Sequence, residues 1–342
     1  MTTLPLLMVD VLNDKIPMKI AVTGASGHVG VTLCKQLIGQ GDEVSVLVHQ
    51  HKSRLPENGV EVIRGNILDK ETLIPLFTGV DVVYHLAAQI SIDQNDNKRV
   101  YDTNVRGTGN VIEACKESGV KKLIHFSTIH TLKSFGDGQI MNETNPLIPT
   151  SKIAYENSKA EAEKLVIDAS AEGLDAVILN PTAIIGPNDY QPSYLGQALI
   201  KIFKNQLPML VPGGYNFVDV RDVADAAIQA AKKGRSGERY ILSGHWLSLK
   251  DLSLTIGQLT NRKTPEFLAP TWLTKAGLPF IRSWAKLSGQ HPLYTAESLE
   301  ILKNSSRNIS NQKAMDELNF NPRPIRETLK DTFTWFEENN LV

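Results

Sequence analysis

The stretch Tyr155-Glu156-Asn157-Ser158-Lys159 sets a phenol four residues before an amine. On an α-helix that spacing puts both side chains on one face, one turn apart. An ammonium near a phenol favours the phenolate, lowers its pKa and makes the hydroxyl a usable proton donor near neutrality. Taken alone, the five residues are more simply read as a packed Tyr ring and a solvated Lys. The elements around them must decide.

A second stretch, Thr23-Gly24-Ala25-Ser26-Gly27-His28-Val29-Gly30, spaces three glycines three apart, directly after the apolar run 19–23. Such glycines permit a tight turn, let the backbone approach a pyrophosphate and leave the N–H groups of a helix N-terminus facing the anion. A loop that leaves a strand and opens a helix favours this reading over an ordinary turn. At the end of the second strand an acid accepting from the adenosine ribose would favour NAD. The chain instead reads His49-Gln50-His51-Lys52-Ser53-Arg54, with no acid before Glu57. Cationic and neutral donors suit a 2′-phosphate, so NADP is the expected cofactor and NAD the alternative; the plainer reading is a solvated basic loop.

The elements that must hold these residues alternate in type. Short β-branched runs at 19–24, 43–49, 60–67, 81–88, 121–128 and 175–182 are separated by helical patterns at 28–40, 104–119 and 158–173. Near-continuous apolar strands between amphipathic helices predict a parallel sheet covered on both faces, a doubly wound Rossmann-type α/β fold. Residues 18–182 read as the dinucleotide-binding domain, with 215–245 returning to it as a strand and a helix. Residues 183–214 and 246–342 read as a smaller, interleaved substrate region. Around Trp272 and Trp284, a Trp/Leu-rich stretch reads as core packing or pocket lining rather than a membrane-surface helix.

The 342 residues carry 36 Lys plus Arg against 37 Asp plus Glu, so there is no electrostatic footprint for nucleic acid. No apolar run is long enough to span a bilayer. Residues 1–17 lack a basic segment before their apolar patch and read as an N-terminal extension, a disordered lead-in or a mis-assigned start ahead of Met18. Cys34 and Cys115 fall in apolar helical patterns without metal-ligand spacing, so buried thiols, no metal and a cytoplasmic location are expected.

Together these residues resemble the extended short-chain dehydrogenase/reductase family, within the NAD-dependent epimerase/dehydratase superfamily. The matching positions are Thr23-Gly24 through Gly30, Thr128 closing His125-Phe126-Ser127-Thr128, and Tyr155 with Lys159. Further matching stretches are 84–88, 104–108, 186–189 and 217–224, so the resemblance runs from about Met18 to the C-terminus. The chain looks most like the dihydroflavonol reductase-like branch, which includes hopanoid-associated sugar epimerases. Where nucleotide-sugar enzymes carry Arg before the Pro that ends the sixth strand, this chain has Asn180 before Pro181, and their Arg-Asp-aromatic is replaced by Tyr215-Asn216-Phe217. Both changes remove groups expected near a nucleotide diphosphate. Ile129 and His130 follow Thr128 in place of the Asp-Glu of sugar dehydratases.

The resemblance implies that Tyr155 donates a proton to a substrate carbonyl oxygen, that Thr128 hydrogen-bonds the same oxygen, and that Lys159 holds the nicotinamide ribose while depressing the Tyr155 pKa. Ser127, by strand alternation, faces the other way. It further implies a cofactor site built from Gly24, Ser26, Gly27, His28, Val29, Gly30, His49, Arg54, Asn66, Ile67, Leu86, Ala87 and Ala88. Pro181, Thr182 and Ile184 would meet the carboxamide region, and Asn104 has either a cofactor-side or a structural role. Asn66 stands where the family has Asp facing the adenine amine, and His49 where reductases of this branch often have Arg; Arg54 is a substitute. His85 and His125 read as packed strand residues. The implied activity is NADP-dependent reduction of an aldehyde or ketone, with an NAD-dependent epimerase of a sugar or nucleotide sugar as the alternative. A redox-sensing module would not need Thr128, Tyr155 and Lys159 together. A homodimer built from helices flanking the Tyr155 segment is also implied.

Overall fold

The computed structural model describes residues 16–49, 55–56, 58–90, 97–136, 138–270, 302 and 305–342. Its strands are β1 (Lys19–Thr23), β2 (Glu43–Val48), β3 (Val60–Arg64), β4 (Val82–His85), β5 (Lys122–Phe126), β6 (Ala176–Pro181), β7 (Ala183–Ile185), β8 (Gly214–Asp219), β9 (Arg239–Leu242) and β10 (His245–Ser248). Among the helices are α1 (His28–Gly39), α2 (Ile74–Phe77), α3 (Asn97–Tyr101), α4 (Gly107–Glu117), α5 (Ala154–Ala171), α6 (Tyr194–Phe203), α7 (Val220–Lys233), α8 (Leu249–Thr260), α9 (Gln312–Leu318) and α10 (Ile325–Glu338).

Seven strands form one sheet in the order β3-β2-β1-β4-β5-β6-β9, and every neighbouring pair is parallel. Successive side chains along a strand point to opposite faces, so each strand feeds two cores. Ile20, Val22, Val82 and Tyr84 pack with Leu33 and Leu37 of α1, Val223 and Ala227 of α7, and Leu318 of α9. Ala21, Val83, Leu123 and Ile178 pack on the other face with Phe77 of α2, Val111 and Cys115 of α4, and Val166 of α5. Burying each large side chain stabilises the fold by about 1.5–3 kcal/mol, which makes this sheet the rigid base of the molecule. The strand order reverses between β1 and β4, and in such sheets ligands bind at the carboxyl ends of the strands beside that reversal.

The segment expected to return as a strand to this sheet behaves differently. β8 lies in a second, three-stranded sheet, parallel to β7 and antiparallel to β10. The reason is local. β7 begins within two residues of the end of β6, and the Asn216 side chain accepts from the Thr182 hydroxyl (3.2 Å) and the Gly244 amide (2.8 Å), fastening β8 between its neighbours. Phe217 is then buried against α6, α8 and α10. The return to the large sheet is made by α7, which packs along α1, and by β9, which pairs with β6.

The other helices lie close to the sequence expectation, with two extensions. α5 starts at Ala154, so Tyr155 is inside its first turn. The helix expected from Asn104 begins at Asn97 and passes through a π-helical turn at Asp102–Arg106 before α4. The residues around Trp272 and Trp284, and residues 1–15, lie outside the described set. No helix among the described residues is long and apolar enough to cross a membrane.

Candidate active site

β5 ends at Phe126, and the chain turns through Ser127 and Thr128 into a short 3₁₀ turn at Ile129–Thr131, capped by the Thr128 side chain. α5 runs alongside and brings Tyr155 beside Thr128, near enough for the Thr128 side chain to act on the phenol. One turn on, Lys159 is buried and donates to the Phe126 carbonyl at 2.5 Å. Thr128, Tyr155 and Lys159 are therefore assembled at the carboxyl end of the central strands. The Ser127 hydroxyl is engaged elsewhere and donates to Glu163, further along α5.

The expected depression of the Tyr155 pKa by Lys159 is not what this environment produces. Burial pushes the phenol up to about 12; the neighbouring Glu156 adds to the rise, and the Thr128 side chain opposes it. Burial also pulls Lys159 down to about 8, with Glu163 acting in the opposite direction. Taking both groups out of water disfavours the charged form of each, and this desolvation sets the direction of both shifts.

The glycine loop has the shape of an anion cradle. Gly24 lies at φ +76°, and a Cβ there would sit 2.5 Å from the Ala87 amide nitrogen. A Cβ on Gly30 would sit 2.3 Å from the Gly24 carbonyl oxygen. These two glycines let the loop close on itself. Gly27 is different: it is exposed, and the nearest atom to a Cβ there is 3.4 Å away. No side chain caps the N-terminus of α1, so its amides remain available to an anion such as pyrophosphate. Ser26, His28 and Val29 flank this opening half-buried, with the His28 ring hydrogen-bonded to the Pro187 carbonyl at 2.9 Å. The residues present fit a dinucleotide.

Around the loop, Leu86 donates its amide to the Thr23 carbonyl (3.0 Å) and places Ala87 opposite Gly24, with Ala88 exposed beyond it. At the far end, His49 is exposed at the tip of β2, 3.5 Å from Asn66. The Asn66 carbonyl oxygen accepts from the Leu68 amide, and Ile67 is buried beside Gly107. Arg54 lies outside the described residues. Pro181 and Thr182 are buried at the end of β6, the Thr182 hydroxyl turned to Asn216, and Ile184 packs against the sheet core.

Asn104 sits in the π-helical turn and is buried. Its oxygen accepts from the Gln89 amide at 2.7 Å, and its nitrogen donates to the Gln89 carbonyl (3.1 Å) and the Ser158 hydroxyl (2.9 Å). Those bonds tie the loop after β4 to the helix that carries Tyr155. His85 is buried between Thr23 and Thr108 hydroxyls (2.7 and 2.9 Å), whereas both ring nitrogens of His125 are buried without a partner.

Sequence reasoning missed Glu163, Thr131 and Arg239. Glu163 is fully buried and accepts from Ser127, Thr131, Asn180 and Arg239. Asn180, read as a lost nucleotide contact, points inward to this carboxylate and to the Thr128 carbonyl. The one hint in the sequence is that 155, 159 and 163 continue one helical face at intervals of four, a spacing that does not by itself mark Glu163 as buried. A cavity of about 380 Å³ lies next to the site, lined by Ile129, Leu132, Met141, Ile148, Ile153 and Ile309 among apolar residues and by His130, Lys152 and Glu156 among charged or polar ones.

The sheet order, the glycine cradle and the Thr-Tyr-Lys cluster define a dinucleotide-binding Rossmann protein. A model of the NAD dependent epimerase/dehydratase family matches residues 20–243, and the chain belongs to that family, as the extended short-chain resemblance implied. It is 29% identical to sterol demethylase protein B of Methylococcus capsulatus over 95% of this chain and 100% of that one. It is 30% identical to a dihydroflavonol 4-reductase-like protein of Synechocystis sp. over 94% of this chain and 95% of that one. The crystal structure of gox2253 superposes with a TM-score of 0.81 at 32% identity, covering 94% of this chain and 98% of that one. The chain is thus an NAD(P)-dependent enzyme of the extended short-chain type, and its relatives include reductases and decarboxylating dehydrogenases.

Proposed function

We propose that the protein is an NADP-dependent reductase that converts a largely apolar aldehyde or ketone to its alcohol. The observation that carries this reading is the placement of the Tyr155 phenol beside Thr128, with a buried Lys159 one helical turn on at the end of β5. The cradle of Gly24, Gly27 and Gly30, with Ser26, His28 and Val29, would hold the pyrophosphate. His49 and Asn66 would meet the adenosine end, and Leu86 to Ala88, Pro181, Thr182 and Ile184 the remainder. Bound there, the nicotinamide supplies a hydride for the carbonyl carbon. Tyr155 releases its proton to the carbonyl oxygen, and Thr128 holds that oxygen by its hydroxyl, fixing the reacting group beside the donor.

Two features support the finer points. No carboxylate stands at the end of β2, where His49 is exposed and free of an acidic neighbour in the chain, which suits a 2′-phosphate. The adjoining cavity sets six isoleucine, leucine and methionine side chains among its polar lining, which suits a substrate with a hydrophobic body and polar groups. In keeping with this, relatives include a 2-alkyl-3-oxoalkanoate reductase of Stenotrophomonas maltophilia, 31% identical over 69% of this chain and 73% of that one.

The test is consumption of NADPH and NADH by the purified protein against a panel of apolar aldehydes and ketones, with Tyr155→Phe as the control. Turnover with NADPH that the substitution removes supports the reading. Retained turnover in Tyr155→Phe overturns the role given to Tyr155, and no turnover with any carbonyl alongside tightly held NAD in the purified protein overturns the reading in favour of an epimerase.

A further inference from the structure

Four elements converge on the two oxygens of Glu163. On Oε2, the Ser127 hydroxyl lies at 2.5 Å, Thr131 Oγ1 at 2.7 Å and Asn180 Nδ2 at 2.9 Å. On Oε1, Arg239 Nε lies at 2.5 Å. The donors come from the end of β5, the 3₁₀ turn, the end of β6 and the start of β9, while Glu163 itself sits in the middle of α5. A carboxylate with no solvent exposure needs its charge balanced and its lone pairs filled, and this arrangement does both.

The contacts on Oε2 also bracket Thr128. Ser127 precedes it in the chain, while Thr131 Oγ1 and Asn180 Nδ2 lie 2.8 and 3.1 Å from the Thr128 carbonyl oxygen. The Thr131 hydroxyl has one proton and the Asn180 amide two, enough between them to serve both the Glu163 oxygen and the Thr128 carbonyl. The backbone of Thr128 is thereby fixed from both sides. On the same face of α5, Glu163 lies one turn beyond Lys159, as Lys159 lies one turn beyond Tyr155.

We propose that Glu163 is a positioning residue for the Thr128–Tyr155–Lys159 cluster: anchored by Arg239, it clamps the backbone that presents Thr128 to Tyr155 and sets a negative charge behind the Lys159 ammonium. The groups facing Lys159 act in opposite senses. Burial disfavours its charge, whereas Glu163 favours it; the ammonium in turn disfavours the charged forms of His85 and His125, on β4 and β5. Arg239, on β9, pairs with Glu163 from the far side.

The proposal takes the reacting groups from the reductase reading, and its test separates the two. Glu163→Gln keeps the shape and removes the charge. Glu163→Gln with Arg239→Met removes both partners, so that no unpaired guanidinium is left in the core. Ser127→Ala with Thr131→Val loosens the clamp and leaves the charge in place. The readouts are thermal melting, NADPH affinity by fluorescence titration, kcat and KM, and the titration midpoint of Lys159 from its side-chain 15N resonance.

The expected result is a folded Glu163→Gln or double variant with NADPH affinity within about threefold of the parent. Its kcat falls about tenfold or more with little change in KM, because a small misplacement of the holding hydroxyl acts on the transition state. Its Lys159 midpoint moves to lower pH. Ser127→Ala with Thr131→Val reproduces the kcat loss without moving that midpoint. A folded charge-removing variant whose Lys159 midpoint stays put overturns the proposal, as does one that loses only thermal stability with kcat intact. If the parent reduces no carbonyl, the reductase reading falls, and the Lys159 midpoint still decides the role of Glu163.

Discussion

Lys159 spends its ammonium on the Phe126 carbonyl, 2.5 Å away, and Phe126 is the last residue of the strand that delivers Thr128. The lysine therefore braces the strand end as well as facing Tyr155. Burial sets the two titrations far apart, with Lys159 near 8 and Tyr155 near 12.

The first prediction follows from that separation. Tyr155 keeps its proton through the working range, so it does not set the alkaline limit of carbonyl reduction. Lys159 is charged below its pKa and loses the charge as pH rises through about 8. The pH profile of kcat/KM should accordingly fall above about pH 8. Lys159→Arg, whose guanidinium does not titrate, should react more slowly and show no limb in that region; an unmoved limb would assign the titration elsewhere.

A second prediction concerns stability towards acid. His85 and His125 are buried and neutral: desolvation, aided by the Lys159 charge, lowers His85 to about 3 and takes His125 well below its ordinary value. Unfolded, each binds a proton near pH 6.5, so below that pH the unfolded state gains protons that the folded state refuses. Stability should decline as pH falls from about 6.5 towards the folded-state value. The two histidines differ in their partners. His85→Leu takes one partner from each of the Thr23 and Thr108 hydroxyls and should cost about 1 kcal/mol, whereas His125→Met removes two unpartnered nitrogens and should gain about 1 kcal/mol while flattening the acid limb. Urea unfolding at pH 7 and pH 5 measures both.

The glycines of the loop should separate by readout. Gly24→Ala drives a Cβ into the Ala87 backbone at a positive φ, so the loop must rearrange and the protein should melt earlier. Gly27→Ala meets nothing closer than 3.4 Å and should melt within a few degrees of the parent. It places a methyl on the open side of the cradle, and its Kd for NADPH should rise about tenfold or more. Equal affinity for the parent and Gly27→Ala would remove the pyrophosphate from this loop.

Much of this was legible from residue order. Apolar runs of six to eight residues between helical patterns marked the six leading strands, and the strand-loop-helix context of Gly24 to Gly30 marked the cradle. The spacing of Tyr155 and Lys159 placed them on one helix face, where the structure has them. Three things were not legible. The run at 214–219 has a strand pattern, but which sheet it joins depends on Asn216 reaching Thr182 and Gly244, a contact between distant segments. Glu161 and Glu163 look alike in sequence; only the packing of α5 exposes one and buries the other. The Tyr155 environment is likewise set by burial, which outweighs the effect of the lysine that the spacing brings near.

Asn104 gives the last prediction. Its amide makes three bonds, two to the backbone of Gln89 and one to Ser158, and Ser158 in turn donates to the Tyr155 carbonyl at 2.8 Å. The loop after β4, which lies against Gly24, is therefore linked through one side chain to the first turn of α5. Asn104→Ala would leave the Gln89 amide and carbonyl without that partner in a buried setting and should cost about 1–3 kcal/mol. Asn104→Asp keeps the acceptor for the Gln89 amide, loses both donor contacts and sets a carboxylate against the Gln89 carbonyl, so it should not restore the parent. Because the disturbed loop borders the cradle while Asn104 touches neither Thr128 nor the Tyr155 side chain, the Kd for NADPH should rise more than kcat falls. Urea unfolding and cofactor titration of the two variants check this, and a kcat loss larger than the affinity loss would instead put Asn104 in the chemistry.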